Sequence, residues 1–270
     1  MRVRIVFYKY IRIIGSGVLI LALSLFFACR GGRDVIVAGS TSVQPYAEVL
    51  AEEYMVHYPQ NVIDIQGGGS AAGITAAETG TANIGMSSRA LKDAELHLWS
   101  VEIAKDGLAI IVNPANPVQD LTLDQICHIY TADILKWSDV GGGNAKIHII
   151  AREEGSGTRS AFEELIMKDR RITPKAIIQD SNGAVRQLVA DDPNSIGFIS
   201  LGLVDDTVKA LHLEGIEATR ENIINGTYKL FRPFLFVSKE TPEDTAMDYI
   251  NFVLSPEGQK VMSDEGLIPE

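Results

Sequence analysis

The chain has 270 residues, 46% hydrophobic and 22% charged, an ordinary globular composition with length for one large domain or two lobes. Its formal net charge is −11, so no basic field exists to displace counterions, and nucleic-acid binding is excluded. An anionic ligand is not excluded, because local N–H dipoles and one arginine can hold an anion inside an acidic protein.

The chain opens with Arg2, Arg4, Lys9 and Arg12 and no acid up to residue 28. Residues 13–28 are almost wholly apolar, and the small Ala28 precedes Cys29. This is the pattern of an export signal, and the apolar stretch is shorter than the ~20 residues of a spanning helix. Cys29 resembles the lipobox cysteine of bacterial lipoproteins, although Phe26 stands where lipoboxes usually carry Leu. The expectation is a signal over 1–28, lipidation at Cys29, a tether over 29–33 and a globular part outside the cytoplasm. The second cysteine, Cys127, lies in an apolar helical pattern and reads as core, so no intrachain disulfide is expected in the mature chain.

Strand and helix patterns then alternate. Val35–Ala38 is an apolar strand, followed by a helix from about Val43 to His57 with Pro45 in its first turn. Val62–Ile65 is a strand and Ala71–Glu78 a helix. Ile84–Met86 is a short strand, with a helix expected near Leu91–Trp99. Leu108–Val112 is a continuous apolar strand, and Leu123–Tyr130 is helical. Ile147–Ala151 leads into a helix over Arg159–Lys168. Ala184–Ala190 is a helix, Ile196–Ile199 a strand, and Leu230–Val237 a long strand containing Pro233. Asp244–Ser263 reads as two helices broken near Pro256. Repeated strand–loop–helix units predict an α/β fold with mostly parallel sheets, whose ligands bind at strand carboxyl ends.

Four loops share one grammar: each follows an apolar strand, is rich in Gly, Ser or Thr, and opens a helix. They are Gly39-Ser40-Thr41-Ser42, Gly67-Gly68-Gly69-Ser70, Ser87-Ser88-Arg89 and Gly155-Ser156-Gly157-Thr158. Helix starts offer unpaired N–H donors, glycine lets backbone approach a ligand, and hydroxyls add donors that rotate to fit. Any one such loop is equally well an N-cap; four in one chain, two with an arginine at the edge, point to a small tetrahedral oxyanion. Arg152 is the sharpest candidate, since its planar fork binds two oxyanion oxygens; the competing role is a salt bridge to Glu153 or Glu154. Arg89 is second, with a surface ion pair as its competing role. The five histidines lack metal spacing, and no metal or other cofactor is expected. The fourth loop lacks the Lys of a nucleotide-binding phosphate loop and does not match a nucleophile elbow.

The ordered motifs GSTSVQPYAE, QGGGSAAGI, IGMSSRALKDAE, DGLAIIVNPANPV, REEGSGTRSAFEE, IGFIS, ENIINGTYKLFRPF and SPEGQK span about Asp34 to Gly266. Together they resemble the phosphate-binding component of bacterial and archaeal ABC phosphate uptake systems. The resemblance implies a two-lobed periplasmic-binding-protein-like fold with two crossover strands (type II), with Leu108–Val112 and Leu230–Val237 as the crossovers. Lobe one is then 34–110 plus 233–270, and lobe two 111–232. By motif it implies phosphate ligands at Ser40, Thr41, Ser42, Ser70, Ser88, Arg89, Arg152, Ser156, Gly157 and Thr158. It also implies a monomer, tied to the membrane by its lipid, that hands inorganic phosphate to ABC transporter permease subunits without covalent chemistry. One departure stands out: better-known members carry Asp where Ser88 stands, as acceptor for a phosphate proton and a bar to sulfate. Asp106 or a hydroxyl lone pair are the candidates for that role here. The competing readings are another tetrahedral oxyanion such as sulfate or molybdate, a phosphate sensor without transport, and a serine hydrolase using Ser156 or Ser42, which needs a positioned base.

Overall fold

The computed structural model describes residues 34–270. The expected signal over 1–28, the lipidation at Cys29 and the tether over 29–33 lie outside the described residues. Among the described residues, no helix is long and apolar enough to cross a membrane.

The first lobe begins with strand–loop–helix units: β1 (Asp34–Gly39), α1 (Gln44–His57), β2 (Val62–Gly67), α2 (Ser70–Thr79) and β3 (Ile84–Ser87). β1 lies between β2 and β3 and pairs parallel with both. Next comes the 14-residue β4 (Trp99–Val112). The second lobe follows with β5 (Asp120–Leu121), α3 (Leu123–Tyr130), β6 (His148–Arg152), α4 (Gly157–Phe162), β7 (Ile177–Gln179), α5 (Asn182–Asp191), β8 (Ser195–Ser200), β9 (Lys209–Ala210), β10 (His212–Leu213) and α6 (Arg220–Ile224). The chain returns through β11 (Phe231–Ser238) and ends in α7 (Asp244–Leu254), α8 (Pro256–Asp264) and β12 (Ile268–Pro269). Thr122 starts α3 through a capping box with Gln125, which explains why that helix falls where its apolar period begins.

β4 and β11 are the two crossover strands. Residues 99–107 of β4 pair antiparallel with β11, and residues 108–112 pair antiparallel with β8. The continuous sheet order is β2-β1-β3-β11-β4-β8-β6-β7. The sheet is therefore parallel within each lobe and antiparallel at the crossovers, because one strand leaves a lobe while the other returns to it. Pro233 is tolerated in β11 because β11 pairs with β3 only from Leu235 to Val237, leaving β4 as its one partner there.

Two expected helices differ. In place of one near Leu91–Trp99 there is a single 3-10 turn, Asp93–Glu95, and β4 starts at Trp99. Glu95 accepts from the Arg89 guanidinium and the Lys92 N–H, which ends the turn, and Trp99 and Val101 pack against the first core. The helix expected over Arg159–Lys168 is α4, continued by a π-helical turn over Glu163–Met167.

Each lobe has its own core. Val35, Val37, Leu50, Ile84, Phe234, Phe236 and Tyr249 lie in the first. Leu108, Ile110, Tyr130, Trp137, Phe162 and Phe198 lie in the second. The chain passes between cores from Ala104 to Leu108 on β4 and from Leu230 to Phe234 on β11. In the second core the Phe162 and Phe198 rings stack 4.1 Å apart at 9°, with Tyr130 centred 4.5 Å from Phe162. Phe198 belongs to β8 and Phe162 to α4, the elements that also carry Ser200 and Thr158. A Phe198→Ala protein is expected to lose about 3–5 kcal/mol of stability in denaturant unfolding, because a ring fully buried among aromatics leaves a cavity.

Candidate functional site

All four loops end at the place where the lobes meet. Gly39 leaves β1 with φ +140, and a β-carbon there would lie 2.4 Å from Met86 O and 2.8 Å from Gly73 Cα, so glycine alone lets the first loop turn at this point. Ser40 Oγ then donates to Ser88 Oγ at 2.9 Å, and Ser42 N donates to Ser40 Oγ at 3.2 Å. The Ser88 N–H donates to Ser70 Oγ at 3.0 Å, and the Ser70 and Ser88 hydroxyls are 3.3 Å apart. From the second lobe, Thr158 Oγ1 lies 2.8 Å from Ser42 Oγ. Ser40, Ser42, Ser70, Ser88 and Thr158 are each at most 2% exposed. Five hydroxyls from both lobes thus form one desolvated group, held at the mouths of strands as the sequence pattern predicts.

Gly157 closes against this group. A β-carbon there would sit 2.2 Å from Ser70 Oγ and 2.4 Å from Ser88 Oγ. The Ser156 hydroxyl is used locally, capping α4 by accepting from Arg159 N at 3.2 Å. The loops also touch through backbone: Ala71 N donates to Gly155 O at 3.1 Å.

Arg152 is buried at the end of β6. Its Nε and Nη2 donate to the Glu153 carboxylate at 2.9 and 3.0 Å, and Nη2 also reaches Thr41 Oγ1 at 3.0 Å and Asp180 O at 3.0 Å. Its Nη1 is buried and has no hydrogen-bond partner among the described residues. The ion pair to Glu153 and the contact with the first loop are therefore both present.

Arg89 takes an acidic partner, the kind of role that competes with ligand binding. Its Nη1 and Nη2 hold Glu95 Oε2 and Oε1 at 2.7 and 2.8 Å, and Nη1 also donates to Ala90 O. The guanidinium is spent on the turn that follows, and it makes no bond to the hydroxyl group.

Three residues join the site that loop grammar did not single out. Asn182, the first residue of α5, donates from Nδ2 to Ser42 Oγ at 2.8 Å. Arg232 on β11 donates from Nη2 to Ser42 Oγ at 3.2 Å and from Nε and Nη2 to Asp106 Oδ2 at 3.1 and 2.9 Å. Ser200, at the end of β8, donates from Oγ to Asp106 Oδ1 at 2.7 Å. Arg232 and Asp106 face each other in register on the two crossover strands. Burial pushes the Asp106 carboxyl up and the Arg232 guanidinium down, while their mutual attraction opposes both shifts. The one legible signal for Arg232 was its place in the FRPF motif.

Other groupings are weaker. Among the described residues, Glu53, His57 and Glu257 bring ligand-type atoms within 4.8 Å of one another, but all three are exposed, as a solvated ion pair would be. An open cleft of about 920 Å³ on the second lobe is lined by Arg159, Lys168, Arg170 and Arg171 with Glu154, Glu163 and Asp169, and by none of the five hydroxyls.

The Arg89 guanidinium, by hydrogen bonding, holds Glu95 below the ordinary carboxylate range. The folded chain then binds that proton less tightly than the unfolded chain, so the pair stabilises above the ordinary range and its contribution is lost as pH falls through the lowered value. Glu95→Gln is expected to cost about 1–2 kcal/mol near neutral pH, and the difference from wild type should shrink in acid, as read by urea unfolding at both pH values.

The PBP superfamily domain model matches residues 30–257. The phosphate-binding protein PstS of Bacillus subtilis (strain 168) is 30% identical over 246 residues, 89% of this chain and 82% of that protein. Among solved structures, a candidate phosphate ABC transporter substrate-binding protein from Clostridium perfringens, with bound phosphate, superposes with TM-score 0.86 at 45% identity, covering 88% of this chain and 100% of that one. An ABC-type phosphate transport receptor from Vibrio cholerae gives TM-score 0.75 at 39% identity, covering 87% and 100%. The four glycine- and hydroxyl-rich loops, the two crossover strands and these matches over most of the chain have one reading: the chain belongs to the PstS family of phosphate-binding proteins, within the periplasmic-binding-protein superfamily.

Proposed function

We propose that this chain captures inorganic phosphate between its two lobes outside the cytoplasm and delivers it to the permease of an ABC transporter. The observation that carries the reading is the buried hydroxyl group supplied by both lobes, with Arg152 on one flank and the Gly157 backbone against Ser70 and Ser88. The Clostridium relative, whose structure holds phosphate, shares nearly half its residues with this chain. The lobes are taken as about 34–107 with 231–270, and 108–230, following the two cores rather than the sequence-based boundaries.

Ser40, Thr41, Ser42, Ser70 and Ser88 come from lobe one, and Arg152, Gly157 and Thr158 from lobe two. A tetrahedral oxyanion with acceptors on all sides takes the hydroxyl protons that the lobes' own groups leave without an outside acceptor. Its affinity for the joined lobes exceeds its affinity for either alone, and that difference drives closure. In this reading Ser156 acts as a cap and through its backbone, and Arg89 shapes the third loop without touching the ligand. Ser42 Oγ pairs with Thr158, Asn182 and Arg232, and Ser156 Oγ with Arg159 N, so neither is coupled to a histidine that would serve as base, which favours binding over the hydrolase reading. The chain is held at the membrane through Cys29 and works as a monomer.

Arg152→Ala is expected to weaken phosphate binding by about 2–5 kcal/mol, well over tenfold, in calorimetric titration, since it removes a charge-assisted partner from a dry site. Gly157→Ala is expected to abolish measurable binding while the protein stays folded, because its β-carbon occupies the space of the Ser70 and Ser88 hydroxyls. Wild-type affinity in either variant would remove this site from the account. Sulfate and molybdate titrations run alongside separate phosphate from the other tetrahedral anions; a chain that prefers either of them is not a phosphate carrier.

A further inference from the structure

Arg232 is a buried cation to which the phosphate reading gives no task. It belongs to a closed ring of hydrogen bonds drawn from both lobes and both crossover strands. Arg232 holds Asp106 Oδ2, Ser200 Oγ donates to Asp106 Oδ1, Ser200 N donates to Asn182 Oδ1 at 3.3 Å, and Asn182 Nδ2 and Arg232 Nη2 both donate to Ser42 Oγ. The Ser200 N–H settles which way the Asn182 amide faces, so its NH₂ is the side turned to Ser42.

The ring has a consequence for protons. A hydroxyl has one proton and two lone pairs. Both lone pairs of Ser42 Oγ are filled, by Asn182 at 2.8 Å and Arg232 at 3.2 Å. Its proton must therefore be given away, and Thr158 Oγ1 at 2.8 Å receives it. Thr158 then has its own proton to direct at a third group. A second observation points to an anion there: the Nη1 atoms of both Arg232 and Arg152 are buried without a hydrogen-bond partner among the described residues. Their guanidinium groups reach neighbouring residues of the first loop, Ser42 and Thr41. Each guanidinium is already paired with a carboxylate, Asp106 or Glu153, so what the two offer an oxyanion is a pair of spare buried N–H donors.

The geometry points to Arg232 as a positioning residue for anion recognition: held by Asp106, it commits the Ser42–Thr158 hydroxyl pair to donating, so that this side of the site selects the doubly charged form of phosphate over the singly charged one. The inference rests on the phosphate reading and deepens it from the identity of the anion to its ionisation state. A freely turning Ser42 hydroxyl would accept from Thr158 as readily as donate to it, leaving Thr158 only lone pairs for the ligand, and so would accommodate the extra proton of the singly charged form.

The charged and titratable groups facing Arg232 and its ring are Asp106 on β4, Arg152 with Glu153 at the end of β6, Tyr46 on α1 and Glu265 after α8. None is a histidine, the side chain whose ordinary charge change falls between about pH 5 and 8. The pH dependence of binding across phosphate's second ionisation therefore reports the ligand.

The test is calorimetric titration of the full chain with inorganic phosphate at a series of pH values spanning that ionisation. Wild type should bind more tightly as the second proton leaves. The double variant Asp106→Asn/Arg232→Gln removes both charges together and leaves no lone buried ion. It should bind about tenfold more weakly or worse, and its rise with pH should flatten. In a Ser42→Ala background the same double substitution should change affinity by less than about twofold, because its effect runs through that hydroxyl. Asn182→Ala keeps the ion pair, frees one lone pair of Ser42 and should also flatten the profile, which keeps the test open if the double variant fails to fold by circular dichroism. A folded double variant, or Asn182→Ala, with the wild-type pH profile overturns the proposal. So does an equal loss with and without Ser42. A wild-type chain that binds no phosphate overturns the phosphate reading itself, which the failure of the variants would leave standing.

Discussion

The structure is organised around a polar group that has no access to water. Five hydroxyls, from Ser40, Ser42, Ser70, Ser88 and Thr158, are buried together where two separate apolar cores meet. Buried polar groups must be paired or they oppose folding. Each lobe satisfies part of the set, and the contacts of Ser42 with Thr158 and Asn182 exist only while the lobes are together. The same chemistry that makes the interface costly when unfilled makes it selective for a partner with acceptors on every side.

The crossover strands make this arrangement possible. β4 and β11 are the covalent links between lobes, and their register sets Asp106 opposite Arg232 beneath the hydroxyls. A buried ion pair is weak evidence for stability, because desolvation of both charges offsets their attraction. Its value here lies in direction: it fixes what Ser42 does with its proton. Gly39 and Gly157 serve the same end by different means, one by a turn no side chain permits and one by leaving room for two hydroxyls.

Most of the fold was legible in the sequence because its strands are short apolar runs ended by Gly and Ser, and because helix starts carry their own caps. The four loops were legible for the same reason, and their hydroxyls do converge. What escaped had physical causes. Arg89 reads as a ligand because it sits at a loop edge, but Glu95 six residues on ends a single turn and takes the guanidinium; that one acid shortens the expected helix and gives the arginine a structural partner. Arg232 escaped because it lies inside a strand, and its partner Asp106 is 126 residues away, a pairing that only strand register reveals. Asn182 escaped because Asn-Gly reads as a turn, and its amide becomes functional only when Ser42 arrives from the other lobe.

The central claim is that one tetrahedral anion sits among these hydroxyls with lobes and guanidinium groups closed around it. A crystal structure of the chain grown with phosphate tests it most directly. The account predicts one phosphate within hydrogen-bonding distance of Thr158, Ser70, Ser88 and the Gly157 backbone, with Ser42 behind Thr158 and Arg152 turned to the anion. Phosphate bound elsewhere, or a closed site in which these hydroxyls make no bond to the anion, would contradict it.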